Sequence, residues 1–222
     1  MVATRRLLVT DEDPPPDELL LTGEVPAYLS LGTGVEAPVP EWVEFSQSLE
    51  RYFAFIDVCG FTAYTDRHGT RAAIDLLTRF RALCREVAVR RGVRVAKWLG
   101  DGVMLVGTEP GPVIASAAEM LLRCEGESFE IHGGVAGGVV LLFEGDDHIG
   151  RPVNLAARLC DAAAPGGLLC SGLDASLPEW VEVAGRVTVN VAGMGDLSDV
   201  AQLGVHDDAW QTGRPVAQHA AG

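Results

Sequence analysis

Gly100-Asp101-Gly102 lies between two apolar runs, Val93 to Leu99 and Val103 to Val106. Glycine and aspartate between strand-like segments signal a tight turn, so the two runs read as an antiparallel hairpin. Parallel neighbours need a crossover of a dozen residues or more, which argues against a doubly wound parallel sheet. The flanking pattern completes the picture. Tyr52 to Val58 is an apolar, aromatic run that contains Asp57 and reads as a buried strand. Ile74, Leu77, Phe80, Leu83, Cys84 and Val87 have helical spacing within Thr70 to Arg90, and Gly92 follows as a stop. Pro112 to Cys124 reads as a second helix. Phe129 to Val135 and Val139 to Phe143 read as two strands. A polar loop, Glu144 to Gly150, leads into a helix over Pro152 to Ala163. Leu168 to Ser171, Val181 to Val191 and Val200 to Leu203 read as later strands. The order β-α-β-β-α-β predicts an α+β fold. Its core is a ferredoxin-like antiparallel sheet with helices on one face and additional C-terminal strands.

At 222 residues the chain fits one domain with an extension. Residues 1–48 form an arm that is acidic and proline-rich from Asp11 to Glu18. The folded domain is expected over 49–205, and 206–222 is a C-terminal tail. The formal net charge is −14, whereas a nucleic-acid binder needs a basic surface. No nucleic-acid role is therefore expected. The longest uncharged apolar run, Gly133 to Phe143, is far short of the roughly 20 residues of a spanning helix, so no membrane insertion is expected. The five cysteines form no C-x-x-C pair and read as reduced residues of a cytoplasmic protein.

Of 17 basic residues, Lys97 is the one lysine. Ammonium is a compact point donor and guanidinium a wide planar fork, so a lone lysine in an arginine-using chain suggests a site where arginine does not fit. Asp57 ends a run of apolar residues, and a buried carboxylate is costly unless paired or metal-bound. Asp101 reads either as a turn former or, with Asp57 on an adjacent strand, as half of a site for divalent cations that also take substrate phosphates. Asn154 and Arg158 stand at i and i+4 on one helix face. They either cap loops, or orient a sugar and stabilise a charged phosphorane. Asp147 is one of several acids in the loop before that helix.

Together these segments resemble the class III nucleotidyl cyclases. Phe55-Ile56-Asp57-Val58-Cys59-Gly60-Phe61-Thr62 is similar to the first metal motif of that family. Lys97-Trp98-Leu99-Gly100-Asp101 is similar to the second, and Asp147 to Arg158 to the third. The resemblance spans about residues 50–205. It implies an adenylate cyclase that converts ATP to 3′,5′-cyclic AMP and pyrophosphate. Asp57, Asp101 and the Val58 carbonyl would hold two Mg²⁺ or Mn²⁺ ions. Lys97 and Asp147 would read adenine, Asn154 the ribose, and Arg158 the transition state. It also implies a head-to-tail homodimer, in which the metal aspartates of one chain face the base readers, Asn154 and Arg158 of the other. One departure stands out. Many members carry a phosphate-binding lysine near the last strands, but Val191 to Asp196 has none, and Arg186 is the nearest cation. That gap leaves a second reading, a non-catalytic nucleotide-binding module that kept the fold.

Overall fold

The computed structural model describes residues 47–143, 147–173, 176–191 and 193–205. The proposed arm, apart from its last two residues, and the tail lie outside them. The elements are β1 (Gln47–Val58), α1 (Phe61–Arg91), β2 (Arg94–Leu99), β3 (Gly102–Gly107), α2 (Pro110–Cys124), β4 (Ile131–Phe143), β5 (Asp147–Ile149), α3 (Arg151–Ala162), β6 (Leu168–Ser171), β7 (Val181–Val191) and β8 (Gly195–Val205). One sheet runs in the order β2-β3-β1-β4-β6-β8-β7, with β5 paired to β4. Its first four strands are mutually antiparallel and form the expected ferredoxin-like core. β6 then joins β4 in parallel, and β8 and β7 extend the sheet by antiparallel pairing.

Leu76, Phe80, Cys84 and Val87 recur at helical spacing on α1 and are fully buried. They pack with Val113, Ile114, Ala117 and Met120 of α2 over one face of the sheet. Gly69, at φ 83° and ψ 166°, breaks the helix near its start, so the long straight part begins at Thr70, as expected. The two helices of the β-α-β-β-α-β core thus share one face as expected, and α3, which follows that core, lies on the other. Its buried residues Ala156 and Leu159 join Phe53, Met104 and Val106 in a second core on the opposite face.

The stretch from Phe129 to Phe143 also differs. It is not two strands but one, paired to β1 from Ile131 to Leu142. Its glycines mark close approaches, not a break. A Cβ on Gly134 would lie 2.2 Å from the Cys160 nitrogen and 2.4 Å from the Ala156 oxygen, both backbone atoms of α3. A Cβ on Gly137 would meet the Tyr52 ring at 2.2 Å. The backbone of α3 therefore sits directly on β4. Gly134→Ala is expected to cost about 3 kcal/mol or more, because backbone cannot move aside as a side chain can. That corresponds to a fall of roughly 6–12 °C in melting temperature for a chain of this size, read by calorimetry.

Candidate active site

Asp57 is the penultimate residue of β1, flanked in register by Gly102 on β3 and His132 on β4. A Cβ on Gly102 would stand 2.7 Å from Asp57 Oδ1, so glycine there makes the room in which the carboxylate lies. Asp101 precedes it in the β2–β3 turn, whose Gly100 holds φ 68°. Burial, together with the negative charge of Asp57, holds the Asp101 carboxyl above its ordinary pKa. The two carboxylates thus lie near enough to feel each other's charge. The fully buried Val58 follows directly in the chain. The described residues form no group of three acidic, histidine or cysteine side chains able to hold a metal by themselves. Two carboxylates and a carbonyl nevertheless suit Mg²⁺, which keeps waters and takes substrate phosphates as its other ligands. The donor set fits such an ion.

Two features around this pair were not legible in the sequence. His132 places Nε2 3.9 Å from Asp57 Oδ2, while its Nδ1 lies 2.8 Å from the Ala163 carbonyl. Donation from Nδ1–H to that carbonyl turns Nε2 toward the carboxylate. Chiefly through Asp57, the imidazole pKa is raised. Arg81 of α1 donates to the Gly100 carbonyl at 3.0 Å, and its guanidinium lies 5.1 Å from the Trp98 ring centroid. Arg85 adds a second guanidinium 5.0 Å from the same ring. Both contacts tie the Asp101 turn to α1.

Lys97 and Asp147 are brought together as an ion pair. β5 folds back along β4, where its His148 packs edge-on against the buried Phe53 with ring centroids 5.3 Å apart. That contact anchors Asp147. The lysine and aspartate side chains are 47% and 48% exposed, so a ligand can reach both. An exposed pair of this kind contributes about 1 kcal/mol at most, and little is lost when a ligand separates it. Asn154 and Arg158 are exposed on the outer face of α3, and Arg158 bonds its neighbour Asp161 at 3.3 Å. Among the described residues, no hydrogen bond or ion pair joins Asn154 or Arg158 to Asp57, Asp101, Lys97 or Asp147. Arg186 is held by the backbone oxygen and Oδ1 of Asp199, both at 3.1 Å, on the outermost strand β7. It does not approach the carboxylate pair, four strands away.

The solved guanylyl cyclase Cya2 superposes with a TM-score of 0.63 at 20% identity, over 73% of this chain and 96% of that one. The fold is that of the class III nucleotidyl cyclase catalytic domain. The cyclase fold is accompanied by sequence similarity to longer proteins. An uncharacterized Mycobacterium tuberculosis protein is 37% identical over 142 residues, which are 63% of this chain and 37% of that protein. An adenylate cyclase of Glutamicibacter nicotianae is 32% identical over 155 residues, 67% of this chain and 38% of the relative. The chain thus spans less than two-fifths of the length of these relatives. No family model matches it. No helix among the described residues is long and apolar enough to cross a membrane.

Proposed function

We propose that the chain is an adenylate cyclase that acts as a cytoplasmic homodimer and converts ATP to 3′,5′-cyclic AMP and pyrophosphate. The observation that carries this reading is the exposed Lys97–Asp147 pair on the same domain as the Asp57–Asp101 pair. A lysine donates to a ring nitrogen and an aspartate accepts from an exocyclic amine, and adenine offers both. Guanine presents a carbonyl and a ring N–H at those places. The adenylate cyclase name of one relative supports the same choice.

In the proposed reaction the ribose 3′-oxygen attacks the α-phosphorus in line. A new P–O bond closes the ring, the bond to the bridging oxygen breaks, and pyrophosphate leaves with the electron pair. Two Mg²⁺ or Mn²⁺ ions held by Asp57, Asp101 and the Val58 carbonyl would ease loss of the 3′ proton and neutralise the leaving group. The chain's own groups do the rest. α1 starts at Phe61, just after the metal ligands, with no acidic residue in its first turn and no side chain capping it. Its free N–H groups suit phosphate oxygens. Asn154 orients the ribose, and Arg158 meets the charge that develops on the phosphorane. No lysine supports the phosphates from 191–196, and Arg186 is committed to Asp199. Turnover is therefore slow, because one missing charge-assisted contact costs about 1.5–3 kcal/mol, or one to two decades in rate.

A single chain carries the two halves without joining them, so a second copy completes each site. Val139, Leu141 and Phe143 support this reading. They alternate along β4 and are 65%, 45% and 38% exposed, an apolar stripe suited to a partner. The test is product analysis with Mn²⁺ and saturating ATP or GTP. Cyclic AMP from ATP with at least about tenfold less cyclic GMP from GTP is expected, as one mispaired polar edge costs more than 1.4 kcal/mol. Comparable rates on both would overturn the base assignment, and no cyclic product from either would overturn the enzyme.

A further inference from the structure

A cavity lies apart from the carboxylate pair. It measures about 500 Å³ and opens between the end of α1, the start of α2 and the segment 176–180. Its walls include Arg90, Arg91, Pro112, Ala115, Pro178 and Trp180. The long part of α1, from Thr70 to Arg91, rises roughly 33 Å at 1.5 Å per residue. α1 begins beside the proposed metal ligands, so this cavity sits at the far end of the helix layer.

The cavity has a built cationic wall. Glu119 of α2 is completely buried behind it. Arg91 donates to Glu119 Oε2 from Nε at 2.8 Å and Nη2 at 2.7 Å. Arg90 pairs with Oε1 of the same carboxylate. Arg123 stands 3.8 Å from Oε1 but is bidentate to Glu86, at 2.9 and 3.0 Å. The cluster thus sets three guanidiniums against two carboxylates and holds one positive charge in excess, on a chain of net charge −14. One buried carboxylate fixes two guanidiniums and cannot accept from all their N–H groups. Arg91 also lies 5.2 Å from the Trp180 ring centroid, which fixes its plane. Burial first, and the neighbouring Arg90, lower the Arg91 pKa.

We propose that this cavity binds a small planar anion, a ring carrying a phosphate or carboxylate. The oxyanion would meet those N–H groups of Arg90 and Arg91 that Glu119 does not take. The ring would lie against the apolar walls formed by Pro112, Ala115 and Pro178. The volume falls within the range of small-molecule sites. This proposal is independent of the cyclase reading, since it uses neither the metal ligands nor the base readers.

The full-length, metal-free chain is titrated with phenyl phosphate, benzoate and inorganic phosphate while the Trp180 indole N–H resonance is followed by NMR. That resonance is assigned with Trp180→Phe. Gly111→Asp is the decisive variant. A Cβ there meets only the Ser176 carbonyl at 3.6 Å, an ordinary contact, and aspartate in a first helical turn favours folding. The added carboxylate would occupy the anion position and repel a second anion, while Glu119 and its bonds to Arg90 and Arg91 stay in place. A saturable shift with phenyl phosphate or benzoate is expected. It should weaken at least about tenfold in Gly111→Asp, the scale of one lost charge-assisted contact. Inorganic phosphate should bind more weakly than the aryl anions. The stronger of the two aryl probes identifies the oxyanion. No saturable shift, or one that persists unchanged in a folded Gly111→Asp chain, would overturn the site. Inorganic phosphate binding as tightly as phenyl phosphate would overturn the planar ligand.

Discussion

Asp57→Ala and Asp101→Asn are each expected to lower cyclic AMP formation at least about a thousandfold and to leave the domain folded. Removing one carboxylate takes a ligand from the proposed metal pair. The charge stabilisation lost is several kcal/mol, at about 1.4 kcal/mol per decade of rate. The fold tolerates the change because these groups repel each other when no cation lies between them. The folded-state pKa of Asp101 is raised by burial first and by Asp57 as well. A carboxyl whose pKa is raised on folding costs nothing below its unfolded-state pKa; the penalty builds as the pH rises from there and is complete above the folded-state value. Near neutral pH, in the presence of a chelator, Asp101→Asn is therefore expected to melt no lower than the parent chain. Scanning calorimetry with and without Mn²⁺ separates the two effects. The parent should gain stability from the ion by mass action, and Asp101→Asn should gain much less. An active Asp101→Asn chain with metal in excess would remove Asp101 from the metal site.

The fold was legible wherever the cause was local. Gly100-Asp101-Gly102 makes a hairpin through its own backbone, and the spacing of Leu77, Phe80 and Cys84 makes a helix through its own geometry. These fixed the ferredoxin-like core. Where the cause was distant, the reading failed. Gly137 and Gly138 fall in the expected gap between two strands, yet the strand runs through them, with Gly137 a seat for the Tyr52 ring and Gly134 a seat for the α3 backbone. The face taken by α3 has no sequence signal for a related reason. An amphipathic helix records that one side is buried but not which side of the sheet buries it. Here the fold-back of β5 along β4 comes just before α3, which covers Phe53 and Met104 on the second face.

The site divides in the same way. Asp57, Lys97, Asp101, Asp147, Asn154 and Arg158 were named from motif resemblance, and the structure brings Lys97 to Asp147 across the sheet. His132 had no sequence signal, because its nearness to Asp57 comes from the β1–β4 register. Arg81 read as one more polar residue on a helix, and its link to Gly100 exists only once α1 packs beside the hairpin. Glu119 sits in an apolar helical run, where nothing local marks it as the buried anchor of two arginines.

Mixing two inactive variants, Asp57→Ala and Asn154→Ala, tests the central claim most directly. In a head-to-tail dimer each site takes Asp57 and Asp101 from one chain and Asn154 and Arg158 from the other. Either variant alone leaves both sites of its homodimer defective. In the mixed dimer one site collects both lesions. The other collects neither, because its carboxylates come from the Asn154→Ala chain and its asparagine from the Asp57→Ala chain. Random mixing makes half the dimers mixed, each with one intact site of two, so about a quarter of the parent activity should return in a two-fold assembly. The measurement is cyclic AMP formed from ATP with Mn²⁺ after the two tagged chains have been mixed and mixed dimers shown by tandem capture. Recovery well above either variant alone is the result predicted here. Activity that stays at the level of the separate variants, with mixed dimers present, would contradict it and place each site within one chain.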